Sequence, residues 1–322
     1  MLCMADGSCV CNGESGCGRD TAASRSQSGV WRGEDMRLNP SKMNVSSSGA
    51  RLIQGGDMRL AGAALVFLLL LGASGALAPW IVPNDPDLVD LAIKFSPPSW
   101  EYPFGTDHLG RCILSRLLMG IRYSLGGAVV VMVCSVVTGT VAGAFFAWKG
   151  GLLDRLFMRC CDLLLAFPTL VLAFALVGVL GPGFVNLLLA LIFSQWIAYA
   201  RFVRSLVLSL KTSDYVRAAI VSGTTGWKLV RRHLIPQVAI PVAVLQFLET
   251  GGVVLDMTGL TFLGLGVQAP EAEWGMMLNE SKSYIWQYPW LMVYPGIAIL
   301  LTVIAFNLIG DGLRARFDPR ER

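Results

Sequence analysis

Two carboxylates sit where carboxylates are expensive. Glu249 and Asp256 fall inside an apolar run that extends roughly from Val238 to Val267. An ionisable group within a membrane-length apolar segment marks function by default. The two are about two helical turns apart, so a helix places both on nearly one face. Gly251, Gly252 and Gly259 stand close in register and permit tight packing against another helix. Such a pair can line a cation pathway, or it can make a polar contact with a helix of another chain. Carboxylate oxygens alone do not select nickel, which favours nitrogen-containing sites. His108 and His233 are the only histidines, and neither belongs to this run. Weak contact suits a path in any case, because a strong site becomes a trap.

A second constellation is basic. Lys211–Gln237 carries Arg217, Lys228, Arg231 and Arg232, with Tyr215, Ala218, Ala219 and Trp227 as small and aromatic contact residues. Ser213 can cap a helix starting at Asp214, and Gly223 supplies the left-handed residue that stops it. Thr224 or Thr225 can cap a second helix through Leu234, with Pro236 ending it. The expectation is a helix-turn-helix. Tethered between two apolar runs, it suits a rigid knob for a protein partner better than a DNA reader. The net charge of +4 is also modest for a nucleic-acid binder.

A third segment reads Thr106-Asp107-His108-Leu109-Gly110-Arg111. It suggests a helix start, with Thr106 as N-cap, Asp107 in the first turn, and Asp107 paired with Arg111 at i,i+4. Leu109, Ile113, Leu117 and Ile121 form one stripe, and Arg111, Ser115 and Arg122 fall on another face. That pattern predicts an amphipathic helix along a membrane surface or the protein's outer rim.

Other chemistry is scarce. No Gly-x-x-x-x-Gly-Lys-Ser/Thr loop occurs, so the chain is not expected to cradle ATP phosphates. Cys160-Cys161 suggests packing rather than redox chemistry. Asp162 is expected to pair with Arg159. Glu271 and Glu273 are read as residues of a solvated outer loop or of a docking surface. Trp274, Trp286 and Trp290 fit an interfacial aromatic belt, and Pro168, Pro241 and Pro295 are expected to kink their helices.

The elements that must position these groups follow from composition. Among 322 residues, 54% are hydrophobic and only 15% charged, against about 25% charged in soluble domains. An ordinary soluble enzyme and a disordered chain are both excluded. Six apolar stretches approach the ~20 residues needed to cross a bilayer: roughly Leu60–Val82, Tyr123–Trp148, Met158–Leu180, Phe184–Leu206, Val238–Val267 and Trp290–Leu313. Helices are the only option for such runs in lipid. The fold class is therefore an all-α membrane protein with six transmembrane helices over residues 58–322. Residues 1–57 are polar, hold Cys3, Cys9, Cys11 and Cys17, and are read as a disordered cytoplasmic extension. An alternative start at Met36, Met43 or Met58 would remove some or all of it.

Lys and Arg are asymmetric. With the N-terminus cytoplasmic, the other side holds only Lys94, Arg111, Arg116, Arg122 and Lys282 of the 26. The positive-inside rule then places both termini and the basic loop in the cytoplasm.

Asp214-Tyr215-Val216-Arg217-Ala218-Ala219, Gly223 and Leu234-Ile235-Pro236 resemble the coupling loop of ATP-binding-cassette importer permeases. Phe104-Gly105-Thr106-Asp107-His108-Leu109-Gly110-Arg111 resembles the signature before the second span in the peptide/nickel subfamily. Phe262-Leu263-Gly264-Leu265-Gly266-Val267 and Asn307-Leu308-Ile309-Gly310-Asp311-Gly312-Leu313-Arg314, followed by Asp318-Pro319, are similar to its later motifs. The wording of Ala272-Glu273-Trp274-Gly275 is similar to the nickel-permease branch. Cys112 departs from the pattern, standing where the family commonly has Asp.

The resemblance implies a type I importer permease without enzymatic activity or a cofactor of its own. ATP and Mg would be bound by partner subunits. The implied partners are a second homologous permease, two cytoplasmic ATP-binding subunits, an extracytoplasmic solute-binding protein and membrane lipid. Nickel or a nickel-chelate is the implied cargo, with a dipeptide or oligopeptide as the alternative. A secondary transporter would need its own ion coupling, and the coupling-loop motif argues against one.

Overall fold

The computed structural model describes residues 47–224 and 226–317. Regular structure among them is helical, apart from one isolated bridge between Thr106 and Cys112. In chain order the helices are α1 (Ser47–Ile81), α2 (Ile113–Lys149), α3 (Gly151–Leu165), α4 (Thr169–Leu180), α5 (Phe184–Lys211), α6 (Asp214–Val221), α7 (Gly226–Leu229), α8 (Ile235–Phe262), α9 (Trp274–Ser281) and α10 (Trp290–Phe317). Five of them, α1, α2, α5, α8 and α10, are long and apolar enough to cross a membrane singly.

The third expected span is not straight. Met158–Leu180 divides into α3 and α4, whose axes differ by 87° across Ala166-Phe167-Pro168. Proline donates no backbone hydrogen bond and disfavours helix at the preceding residue, so the chain turns there. With 12 residues, α4 is about 18 Å long. Pro241 and Pro295, by contrast, lie inside α8 and α10.

Residues 1–46 of the expected extension lie outside the described residues. The expected boundary at 57/58 falls within α1, which opens at Ser47; no proline interrupts 47–57.

Close packing is set by small residues. Gly139 and Gly143 lie one turn apart on α2 against α5. A Cβ on Gly139 would sit 2.6 Å from the Trp196 carbonyl oxygen, and one on Gly143 would sit 3.1 Å from the Ala200 Cα. This is the small-x-x-x-small pattern by which membrane helices approach closely. Around that crossing, Ala128, Val131, Leu187, Leu191, Val254 and Met257 form the main core. A second cluster, including Ala144, Ala147, Val203, Val207, Val216, Leu234 and Val238, joins α2, α5 and α8 at the end that carries Lys149 and Lys211.

Candidate functional site

The polar groups gather at three levels, and the middle one lies within the apolar helices. Gln195 and Tyr199 are one turn apart on α5, facing Asp256 and Glu249 of α8. The Gln195 amide Nε2 donates to Asp256 Oδ2 at 3.4 Å. Glu249 lies within electrostatic reach of both Asp256 and the Tyr199 hydroxyl. Tyr199 is 1% exposed and its hydroxyl has no hydrogen-bond partner among the described residues. Glu249 is exposed and Asp256 half-buried, and neither meets a cationic side chain among the described residues.

The expectation that the two carboxylates share a face therefore holds in the geometry. Sequence reasoning missed Gln195 and Tyr199. Polar residues at helical spacing in an apolar run were the available signal. Gly252 and Gly259 leave open space beside the carboxylates, with nothing within 4 Å of a Cβ built on either. Gly251 instead packs on α10, 3.3 Å from Val303 Cγ1.

The basic loop folds as a knob. Val216, Leu229, Val230 and Leu234 are fully buried against the ends of α2, α5 and α8. Asp214, Tyr215, Arg217, Ala218, Ile220 and Val221 are exposed, and Ala219 is half-buried. Gly223 stops α6 at φ +83°, as expected. Ser213 does precede α6, but its hydroxyl bonds the Leu210 carbonyl rather than capping the helix. Thr225 and the side chains of Trp227 and His233 lie outside the described set.

Pro236 does not end a helix. It falls in the first turn of α8, and a π-helical turn over Val230–Leu234 joins α7 to α8 continuously, so the helix widens in the turn just before the proline, which has no N–H to donate. Lys211 fixes the knob's near edge, its Nζ donating to the carbonyls of Ala147 (2.7 Å) and Trp148 (2.9 Å). The ammonium thus satisfies terminal carbonyls of α2.

At the opposite end the expected surface helix from Thr106 is absent. Thr106 is fully buried; its hydroxyl accepts from Ser96 N at 2.9 Å and donates to the Ile93 carbonyl. Asp107 folds the turn instead, its Oδ1 accepting from Leu109 N and Arg111 N, both at 2.9 Å. Gly105 and Gly110 in this turn have positive φ. Cys112 is buried and α2 starts at Ile113, so Ile113, Leu117 and Ile121 face the core as part of a long helix. The stripe read as lying along a membrane surface or outer rim is a packing stripe, since α2 continues it.

The expected Asp107–Arg111 pair is present, with Nε to Oδ2 at 2.7 Å. It belongs to a larger network: Glu280 of α9 accepts from Arg111 at 2.7 Å and Arg116 at 3.1 Å. Asp107, His108 and Glu280 have spacing suited to a metal. The two guanidiniums already occupy the carboxylates, so the cluster is an ion-pair lock rather than an open cation site.

Glu273 and Trp274 correct the sequence expectation. Both are buried, at 0% and 1% exposed. Glu273 caps α9 through Met276 N at 2.9 Å and accepts from Ser124 Oγ at 2.9 Å. Trp274 Nε1 donates to the Leu117 carbonyl at 3.1 Å. Burial pushes the Glu273 carboxyl above its ordinary value. Asp162 likewise pairs with Arg201 (3.2 Å) rather than with the expected Arg159.

Residues 139–322 match the family model described as binding-protein-dependent transport system inner membrane component. The chain belongs to this family. It is 41% identical over 256 residues to the nickel transport system permease protein NikC of Escherichia coli (strain K12), covering 80% of this chain and 92% of that one. It is 38% identical over 257 residues to the metal-staphylopine import system permease protein CntC of Staphylococcus aureus (strain NCTC 8325 / PS 47), covering 80% and 89%. It is 36% identical over 290 residues to the probable D,D-dipeptide transport system permease protein DdpC of Escherichia coli (strain K12), covering 89% and 96%. The chain is thus a multi-pass inner-membrane permease component of an ATP-binding-cassette importer, and its relatives are permeases rather than enzymes.

Proposed function

We propose that this permease carries nickel or a nickel-chelate across the membrane, with Glu249 and Asp256 lining the path. The observation that supports this most is the position of both carboxylates on an open face of α8, without a cationic side chain among the described residues. A second, homologous permease completes the path against that face, using the room beside Gly252 and Gly259.

The knob from Asp214 to Pro236 meets one of two cytoplasmic ATP-binding subunits. Tyr215, Ala218, Ile220 and Val221 supply its exposed surface, and Gly223 supplies its turn. Nucleotide-driven closure pulls the knob and shifts the helices between two packings. A solute-binding protein delivers cargo at the opposite end, where Gly105, Thr106, Asp107, Gly110 and Arg111 hold a rigid turn. The asymmetry of Lys and Arg, with only five of the 26 on the opposite side, supports a cytoplasmic position for the knob and both termini.

The dipeptide reading is favoured by relatives named as peptide permeases, at 36–38% identity. Accumulation of radioactive nickel and of a labelled dipeptide, in cells lacking only this chain, separates the two. Nickel uptake is expected to fall while dipeptide uptake persists; the reverse result overturns the nickel assignment.

A further inference from the structure

The 87° turn after α3 raises a question that the transport path does not answer: what covers α3. The helix packs on α2 through Phe146 and on α5 through Arg201 and Arg204. Its inward face is tied down, since Asp154 is gripped by Arg204, Cys161 is buried, and Phe157 stacks on Phe146 with ring centroids 4.0 Å apart.

The outward face is apolar. Leu152, Leu156 and Leu163 are 73%, 61% and 70% exposed, and Leu153 and Cys160 are exposed beside them. At 3.6 residues per turn these five share one arc of about 100°. Arg155 and Arg159 lie on one flank of that arc, exposed and without an acidic partner among the described residues. Lys149, also exposed, precedes the helix.

We propose that α3 is not part of a membrane crossing but an in-plane anchor, seated in the leaflet at the Lys149/Lys211 end and holding anionic phospholipid headgroups with Arg155 and Arg159. An apolar arc with cations along one flank fits a bilayer interface, with the leucines among the acyl chains and the guanidiniums reaching up to phosphates. Charge complementarity decides the occupant. A protein partner covering this arc would have to leave the two guanidiniums unpaired or bring its own acids, whereas an anionic leaflet supplies the counter-charge with the hydrocarbon. The packing agrees: Asp154 and Asp162 of α3 meet Arg204 and Arg201, about two and three turns before Lys211 on α5, so α3 is held toward that end. The proposal rests on the assignment of the knob end to the cytoplasm only for which leaflet is meant.

Spin-label accessibility tests it on the complete transporter in nanodiscs. A nitroxide is placed on Cys160, with the other cysteines replaced, and then in turn at positions 152, 155, 156 and 163. Labels at 152, 156, 160 and 163 are expected to collide with oxygen several-fold more than with water-soluble chromium oxalate, and the label at 155 to show the opposite. Anionic selectivity is read with discs of phosphatidylcholine alone or mixed with phosphatidylglycerol. The anionic lipid is expected to lower label mobility at Cys160, and Arg155→Gln with Arg159→Gln to abolish that response while the fold persists. Shielding from both collision agents would mean that protein covers the arc, and chromium access at Cys160 would mean that water does. Either overturns the proposal, as does a lipid response indifferent to the two arginines. A wrong leaflet assignment would leave the accessibility pattern unchanged.

Discussion

Arg204 grips Asp154 through two parallel contacts of 2.6 Å, Nε to Oδ1 and Nη2 to Oδ2. A bidentate pair of this kind is stronger and more directional than a single contact. It fixes α3 to α5, the helix that leads into the knob. Asp154→Asn is expected to cost about 1.5–3 kcal/mol, the range for hydrogen bonds to charged groups. Arg204→Lys should also lower stability, because an ammonium cannot form the fork. Thermal unfolding of the detergent-solubilised protein checks both. An unchanged midpoint would show that the pair holds nothing.

Gly223 lies at φ +83° with open space around it, so only its backbone conformation is demanded. Asn, which tolerates the left-handed region, should preserve uptake. Ala should weaken the turn by roughly 1 kcal/mol, and Pro, locked near φ −65°, should abolish uptake and uncouple ATP hydrolysis. Membrane insertion should persist in all three. Normal uptake by Gly223→Pro would contradict the role given to the knob.

Glu249→Gln removes a charge without changing shape. Nickel transport is expected to fall more than tenfold and transport of a neutral dipeptide, if detectable, to change little. Gly252→Leu fills the open space beside the carboxylates and should block partner assembly. Uptake assays and co-purification of the second permease read the two effects separately; equal loss of both cargoes in Glu249→Gln would count against a cation path.

Glu273 sets a pH dependence with a defined sign. Desolvation raises its pKa in the folded protein above the ordinary 4.5. A raised acid favours the proton-bound folded form, so its contribution is complete at low pH and is lost as pH rises through the folded value. Hydrogen exchange of the α9 amides, corrected for intrinsic rate, should show protection falling as pH rises above 4.5. Glu273→Gln keeps the shape of the cap and should flatten that response. A pH-independent wild type would remove the argument.

The long helices were legible because lipid leaves apolar runs no other way to satisfy their backbone. Gly223 was legible because a left-handed stop has a residue type of its own. Pro236 was misread, since a helix can widen in the turn before a proline instead of ending there. Thr106 and Glu273 show the other gap. Thr106 was expected as a cap and Glu273 as a loop or docking residue, yet what they satisfy is decided by segments far away: Thr106 serves the Ile93–Ser96 loop, while Glu273 caps α9 and also binds Ser124 of α2. The bend at Pro168 was expected only as a kink; its size depends on α3 finding Arg204 and Arg201.

Reconstitution tests the central idea most directly. The two permeases are placed in liposomes with the binding protein outside, with and without the ATP-binding subunits, and nickel entry is followed over time. Entry is expected to need both those subunits and ATP, and to vanish in Gly223→Pro. Full-rate entry without them would contradict a path driven through the Asp214–Pro236 knob.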